Sequence, residues 1–173
     1  MQGAINPMKK VNVLMICMGN ICRSPLAEGT FKTLVAEKGL SDHIHVESAG
    51  THFYHVGNLP DSRSINVARE HDIDITDQRS QQLCAEDFEA YDYLMVMDKR
   101  NLRDGASLAP NADAVKKLQL FLDFSREPLS TMEVPDPYHD DNGFEHVFQL
   151  VSAASRGLLD HILENDLQDI QDV

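Results

Sequence analysis

The first clear pattern in the chain is "KKVNVLMIC", where two lysines give way to a nearly unbroken apolar run. Val11, Val13, Leu14, Met15 and Ile16 read as a strand buried on both faces, as in a parallel sheet. The next stretch, "SPLAEGTFKTLVAEKG", places Ala27, Phe31, Leu34 and Val35 on one helical stripe. Ser24 reads as its cap, Pro25 suits its first turn and Gly39 its exit. Further strands are predicted over His43–Ala49, Tyr91–Asp98 and Val115–Leu122, with a helix inside Asp61–Glu70. "SREPLSTMEVPDPYHDDNG" holds three prolines and no period, which predicts a long loop. A last helix starts near Gly143 and sets Phe144, Val147, Phe148, Val151, Leu158 and Ile162 on one face. Strands alternating with helices imply an α/β fold with a parallel sheet and right-handed crossovers. Ligands of such sheets sit beyond the carboxyl ends of the strands, and Cys17 falls at the end of the first.

No repeat, low-complexity tract or linker interrupts this pattern. Residues 1–173 therefore read as one domain, with residues 1–8 as a flexible arm. The net charge of −13 argues against nucleic acid or an anionic membrane as partner, while leaving room for a local basic pocket. No apolar run is long enough to span a bilayer, and "MQGAINPMKK" lacks the apolar core of a signal peptide. Three cysteines do not make a disulfide framework, so the expected compartment is a reducing cytoplasm. His43 and His45 share a strand face and His52 and His55 a loop, but no carboxylate or thiol completes a metal set around them. No metal and no cofactor are expected.

The chemistry concentrates in "ICMGNICRSP", residues 16–25. A strand, a short loop and a helix opening on Ser-Pro make an anion site, because the first turn of a helix offers free N–H groups and a positive dipole end. The loop Met18-Gly19-Asn20-Ile21-Cys22 can turn its amides inward, with Gly19 and Asn20 tolerating unusual φ. Arg23 adds a fork for two phosphate oxygens. A cysteine facing both is favoured as thiolate and can attack phosphorus, and Ser24 can donate to that sulfur. A nucleotide loop is excluded, since no Gly-Lys-Ser/Thr follows. Zinc is poorly served by Cys17-x4-Cys22 with Cys84 standing apart.

"CMGNICRSP" resembles the Cys-x5-Arg-Ser phosphate loop of the low-molecular-weight protein tyrosine phosphatases. "VESAGT", "YHVGNLPDSRS", "YLMVMDKRN" and "VPDPY" follow in the family's order, so the likeness runs from Val11 to the final helix. The resemblance implies a four-stranded parallel sheet with helices on both faces, a phosphocysteine intermediate, no metal and phosphotyrosine proteins as substrates, with phosphate and other oxyanions as inhibitors. It implies Cys17 as nucleophile, Arg23 with the amides of Met18–Arg23 as the phosphate cradle, and Asp136 as general acid and then base. Pro135 and Pro137 stiffen the loop that carries Asp136. It also implies support of the cradle by Asn20, Ser24 and Ser48. Tyr54 and Tyr138 would wall a slot for the substrate ring, with Tyr54 where many relatives carry Trp. Relatives often place a supporting histidine where Gln78 stands, which puts part of the Asn20 network in question. Cys22 lies close enough in sequence to capture an oxidised Cys17 as a disulfide. Asp140 and Asp141 add negative charge beside the pocket.

Three rival readings have discriminating features. Arsenate reduction on a related cradle needs a relay of further thiols, and only Cys84 is on offer. A non-catalytic phospho-ligand module needs neither nucleophile nor acid. Phosphoarginine hydrolysis belongs to relatives with threonine in place of Ile21, whose apolar side chain suits a phenyl ring better.

Overall fold

The computed structural model describes residues 10–171 of the chain, and the predicted arm at residues 1–8 lies outside them. Four strands, β1 (Val11–Cys17), β2 (Ile44–Gly50), β3 (Tyr93–Val96) and β4 (Leu118–Leu120), form one sheet in the order β2-β1-β3-β4. All pairings are parallel, with Val13 opposite both Val46 and Tyr93. Strand β1 is therefore central and buried on both faces, as its apolar run requires.

Side chains alternate across the sheet. Val13, Met15 and Cys17 face the layer that holds Leu26, Phe31, Val151 and Leu158, from helices α1 (Arg23–Glu37) and, last but one in the chain, α6 (Phe144–Asn165). Leu14 and Ile16 face the opposite layer, with Leu83, Phe88, Leu94 and Leu118. Four shorter helices complete the chain up to α6: α2 (Ser62–Glu70), α3 (Asp87–Ala90), α4 (Lys99–Ala106) and α5 (Ala112–Val115); α7 (Gln168–Gln171) follows it. Every residue of the expected α6 stripe is buried. Helix α1 ends as predicted: Gly39 takes φ +71 and Leu40 turns back into the core.

Three local expectations need correction. Ser24 is not the cap of α1; Cys22 holds that place without a side-chain cap, and Ser24 lies inside the first turn. The third strand is limited to Tyr93–Val96, because Asp98 caps α4 by accepting from the amide of Asn101. The fourth shrinks to Leu118–Leu120. Val115 closes α5, while Phe121 and Leu122 start a 3-10 turn that buries them under α6. Helix α4 escapes the sequence pattern because "KRNLRDGA" is mostly polar. The long loop is as expected: no helix or strand lies between residues 125 and 143.

Candidate active site

The strand order reverses direction at β1, so the crevice beyond the carboxyl ends of β1 and β3 is the favoured ligand position. Cys17 closes β1 there, 3% exposed, and the loop 18–22 carries the chain into α1. The carbonyls of this loop are tied to its surroundings. Thr51 N donates to Cys17 O at 2.9 Å, His52 N to Met18 O at 3.0 Å and Asp61 N to Ile21 O at 2.8 Å. The hydroxyls of Ser80 and Ser64 donate to Gly19 O and Cys22 O at 3.0 and 3.1 Å. With the carbonyls held outward, the amide side turns toward Cys17, and Asn20 N lies 3.3 Å from its sulfur. Among the described residues, the amides of Gly19, Ile21, Cys22 and Arg23 donate to no protein group.

Two backbone features allow this curl. Asn20 adopts φ +57, in the left-handed region that asparagine tolerates. Gly50 lies against the loop so closely that a Cβ there would meet Met18 O at 2.7 Å.

Arg23 is buried and oriented by Nη1, which donates to Asp98 Oδ2 at 2.5 Å and to Val134 O at 3.0 Å. Burial opposes its charge, but Cys17, Asp98 and Asp136 outweigh burial and hold it protonated. Its Nη2 is 4.0 Å from Asp136 Oδ2. Asp136 Oδ1 accepts from Tyr138 N at 3.1 Å, so the loop itself aims the carboxylate. A cleft of about 270 Å³ is lined by Cys17, Met18, Gly19, Ile21, Cys22, Arg23, Asp136 and Tyr138, together with His55 and His139. A larger cleft of about 490 Å³, lined by Glu28, Lys32, Ser48 and Gln81 among others, contains none of these groups.

Behind the cradle runs a chain of side chains with a defined direction. Asn20 Nδ2 donates to Ser24 Oγ at 2.7 Å and to Ser48 Oγ at 2.9 Å. Its Oδ1 accepts from Gln81 N at 3.0 Å, which fixes the amide. Ser48 Oγ donates to Glu28 Oε1 at 2.7 Å, and Lys32 Nζ lies 2.9 Å from Glu28 Oε2. Ser24 Oγ, which accepts from Asn20, lies 3.0 Å from Cys17 Sγ, with its own proton free to donate to the sulfur. Burial raises the pKa of Glu28, against the lowering effect of Ser48 and Lys32. Burial, followed by the charge of Asp61, also pushes the Cys22 thiol far up.

Two sequence expectations change. Tyr54 does not line the cleft; it is 69% exposed and stacks on His52 at 5.6 Å between ring centroids, and His55 takes the rim instead. Gln78 turns away from Asn20 and donates to Pro25 O at 3.1 Å, and Glu28 closes the network through Ser48. Asp141 is gripped by Arg63 at 2.6 Å. Sequence reading missed Glu28, although it lies one helical turn beyond Ser24, and Asp98, although it follows a buried parallel strand. His55 and His139 carried no signal beyond adjacency to the tyrosines.

Comparison with known proteins agrees with this geometry. Residues 12–169 match the family model described as low molecular weight phosphotyrosine protein phosphatase. The mouse low molecular weight phosphotyrosine protein phosphatase is 41% identical over 141 residues, 80% of this chain and 87% of that protein. The crystal structure of YfkJ from Bacillus subtilis superposes with a TM-score of 0.86 at 34% identity, covering 91% of this chain and 98% of the other. A Drosophila arginine phosphatase superposes with a TM-score of 0.78 at 31% identity, covering 89% and 99%. The chain belongs to the low molecular weight phosphotyrosine protein phosphatase family.

Proposed function

We propose that this protein hydrolyses phosphotyrosine monoesters in proteins through a phosphocysteine intermediate. The observation that carries the reading is the cradle: outward-tied carbonyls, a buried sulfur at its floor and a guanidinium anchored from behind by Asp98 and Val134 O. Such a cradle fits three equatorial phosphate oxygens and stabilises the charge that spreads onto them in the transition state. The sulfur of Cys17 attacks phosphorus and the leaving oxygen departs on the Asp136 side, where the carboxyl group gives it a proton. The carboxylate then takes a proton from water, whose oxygen attacks phosphorus and releases Cys17. Arg23 and the amides of residues 18–23 hold the equatorial oxygens through both steps. Ser24 donates to the sulfur when it leaves as thiolate.

No helix among the described residues is long and apolar enough to cross a membrane. The three cysteines are free, and a sulfur nucleophile works only when reduced, which supports a cytoplasmic site of action. Inorganic phosphate and other tetrahedral oxyanions should compete for the same cradle.

Phosphotyrosine is favoured over phosphoarginine by Ile21, whose side chain lines the cleft without a donor or acceptor, and by the ring of Tyr138 beside it. The similarity to an arginine phosphatase makes the comparison necessary. The test uses one peptide scaffold carrying phosphotyrosine, phosphoserine or phosphoarginine. The wild type should show much the highest kcat/KM on phosphotyrosine, and Ile21→Thr should narrow the gap to phosphoarginine. Cys17→Ser should abolish turnover yet still bind phosphate, because most of the cradle is backbone. Turnover by this variant, or a wild-type preference for phosphoarginine, refutes the assignment.

A further inference from the structure

We propose that Arg63 is a positioning residue that holds the Asp136 loop at its working height over the phosphate cradle. The inference rests on the reading of Asp136 as general acid.

Arg63 sits in the first turn of α2, two residues after the capping residue Asp61. One side of its fork grips that residue: Nε donates to Asp61 Oδ1 and Nη2 to Oδ2, both at 2.9 Å. Nη1 points the other way and donates to Tyr138 O at 3.0 Å and to Asp141 Oδ1 at 2.6 Å. A guanidinium is planar and rigid, so the two sets of bonds are held at a fixed separation. Phe144 and Tyr138 set its third dimension, with ring centroids 4.6 and 5.6 Å from the guanidinium carbon.

Both ends of this bridge lead to reacting groups. Asp61 N donates to Ile21 O in the cradle, and Ser64, one residue beyond Arg63, donates to Cys22 O. Tyr138 N donates to Asp136 Oδ1. The path Ile21–Asp61–Arg63–Tyr138–Asp136 is thus continuous in covalent and hydrogen bonds, while Arg63 itself does not line the cleft. The loop it holds has no helix or strand of its own. Its prolines limit its shapes without fixing its place relative to Cys17. Misplacement of an acid by an ångström or so slows a proton transfer by up to about 10²-fold, and only where the leaving group needs that proton.

The test measures kcat/KM on phenyl phosphate and on p-nitrophenyl phosphate, together with inhibition by inorganic phosphate. Wild type is compared with Arg63→Ala, Arg63→Lys, Asp141→Asn and, as reference, Asp136→Asn. Arg63→Ala should lose about 10-fold on phenyl phosphate but less than about 3-fold on p-nitrophenyl phosphate, with the phosphate inhibition constant within about 2-fold of wild type. Arg63→Lys should lie between it and wild type. Asp141→Asn should shift the same way by less, since Tyr138 O remains bonded. Circular dichroism checks folding; if Arg63→Ala is unfolded, the lysine and Asp141 variants carry the test by the same criteria. An equal loss on both substrates, a phosphate constant that rises with the loss, or no loss overturns the proposal. If Asp136→Asn shows no leaving-group dependence, the general-acid reading falls and takes the proposal with it. If Asp136→Asn shows it and the Arg63 variants do not, the proposal alone fails.

Discussion

Asn20 combines a strained backbone with three side-chain hydrogen bonds, and a pair of substitutions separates the two contributions. Its side chain is buried and bonds to Ser24, Ser48 and the amide of Gln81. At a net of about 1 kcal/mol for each bond, removing the side chain costs roughly 3 kcal/mol. The φ of +57 adds a second cost for alanine, about 1 kcal/mol or somewhat more, that glycine escapes. Glycine returns part of this advantage through the greater freedom of its unfolded chain, by roughly 0.5 kcal/mol. Asn20→Ala should therefore be destabilised by about 4 kcal/mol and Asn20→Gly by slightly less. With a urea m-value of about 2 kcal/mol/M, the midpoints should fall by roughly 2 and 1.75 M. Both variants also free Ser24 to rotate away from Cys17, and with it a hydrogen bond worth about 1.5–3 kcal/mol to the sulfur when that leaves as thiolate. Initial rates on p-nitrophenyl phosphate should thus drop by about 10- to 100-fold in both, equally. The assays are urea melts by fluorescence or circular dichroism and steady-state kinetics on the same samples. A loss below 1 kcal/mol in both variants would refute the network argument, and a glycine variant less stable than the alanine one would refute the backbone argument.

Glu28→Gln tests the buried end of the same network. The folded-state pKa of Glu28 is raised, chiefly by burial, so between its unfolded and folded values the native state binds the extra proton and stability falls as pH rises. Relative to wild type, the glutamine variant should gain stability in urea melts as pH rises above the ordinary value of 4.5; a relative loss over that range contradicts the assignment. Peroxide should inactivate the wild type by oxidising Cys17 to the sulfenic acid, which condenses with the Cys22 thiol to a disulfide and water. Dithiothreitol should then restore activity, and should restore much less in Cys22→Ser; equal recovery removes Cys22 from that role.

The sequence alone determined the parallel α/β frame, because β1 is an apolar run with no polar face and α1 and α6 repeat their apolar positions at helical spacing. It also determined the cradle, because Cys17 to Ser24 are contiguous and local backbone geometry brings a strand end, a loop and a helix N-terminus together. Asp136 was singled out as the candidate acid through family resemblance, since Asp-Pro by itself is a turn signal. What the tertiary structure decided lies in contacts between residues far apart in the chain. Asp98 meets Arg23 across 75 residues, Glu28 meets Ser48 across 20, and Arg63 meets Asp141 across 78. No local pattern encodes such pairs, because a polar residue on an exposed turn and one anchoring a buried arginine look alike until the sheet places them. Tyr54 shows the converse: the family resemblance implied a wall, but the turn directs His55 to the cleft and leaves the tyrosine stacked outside on His52.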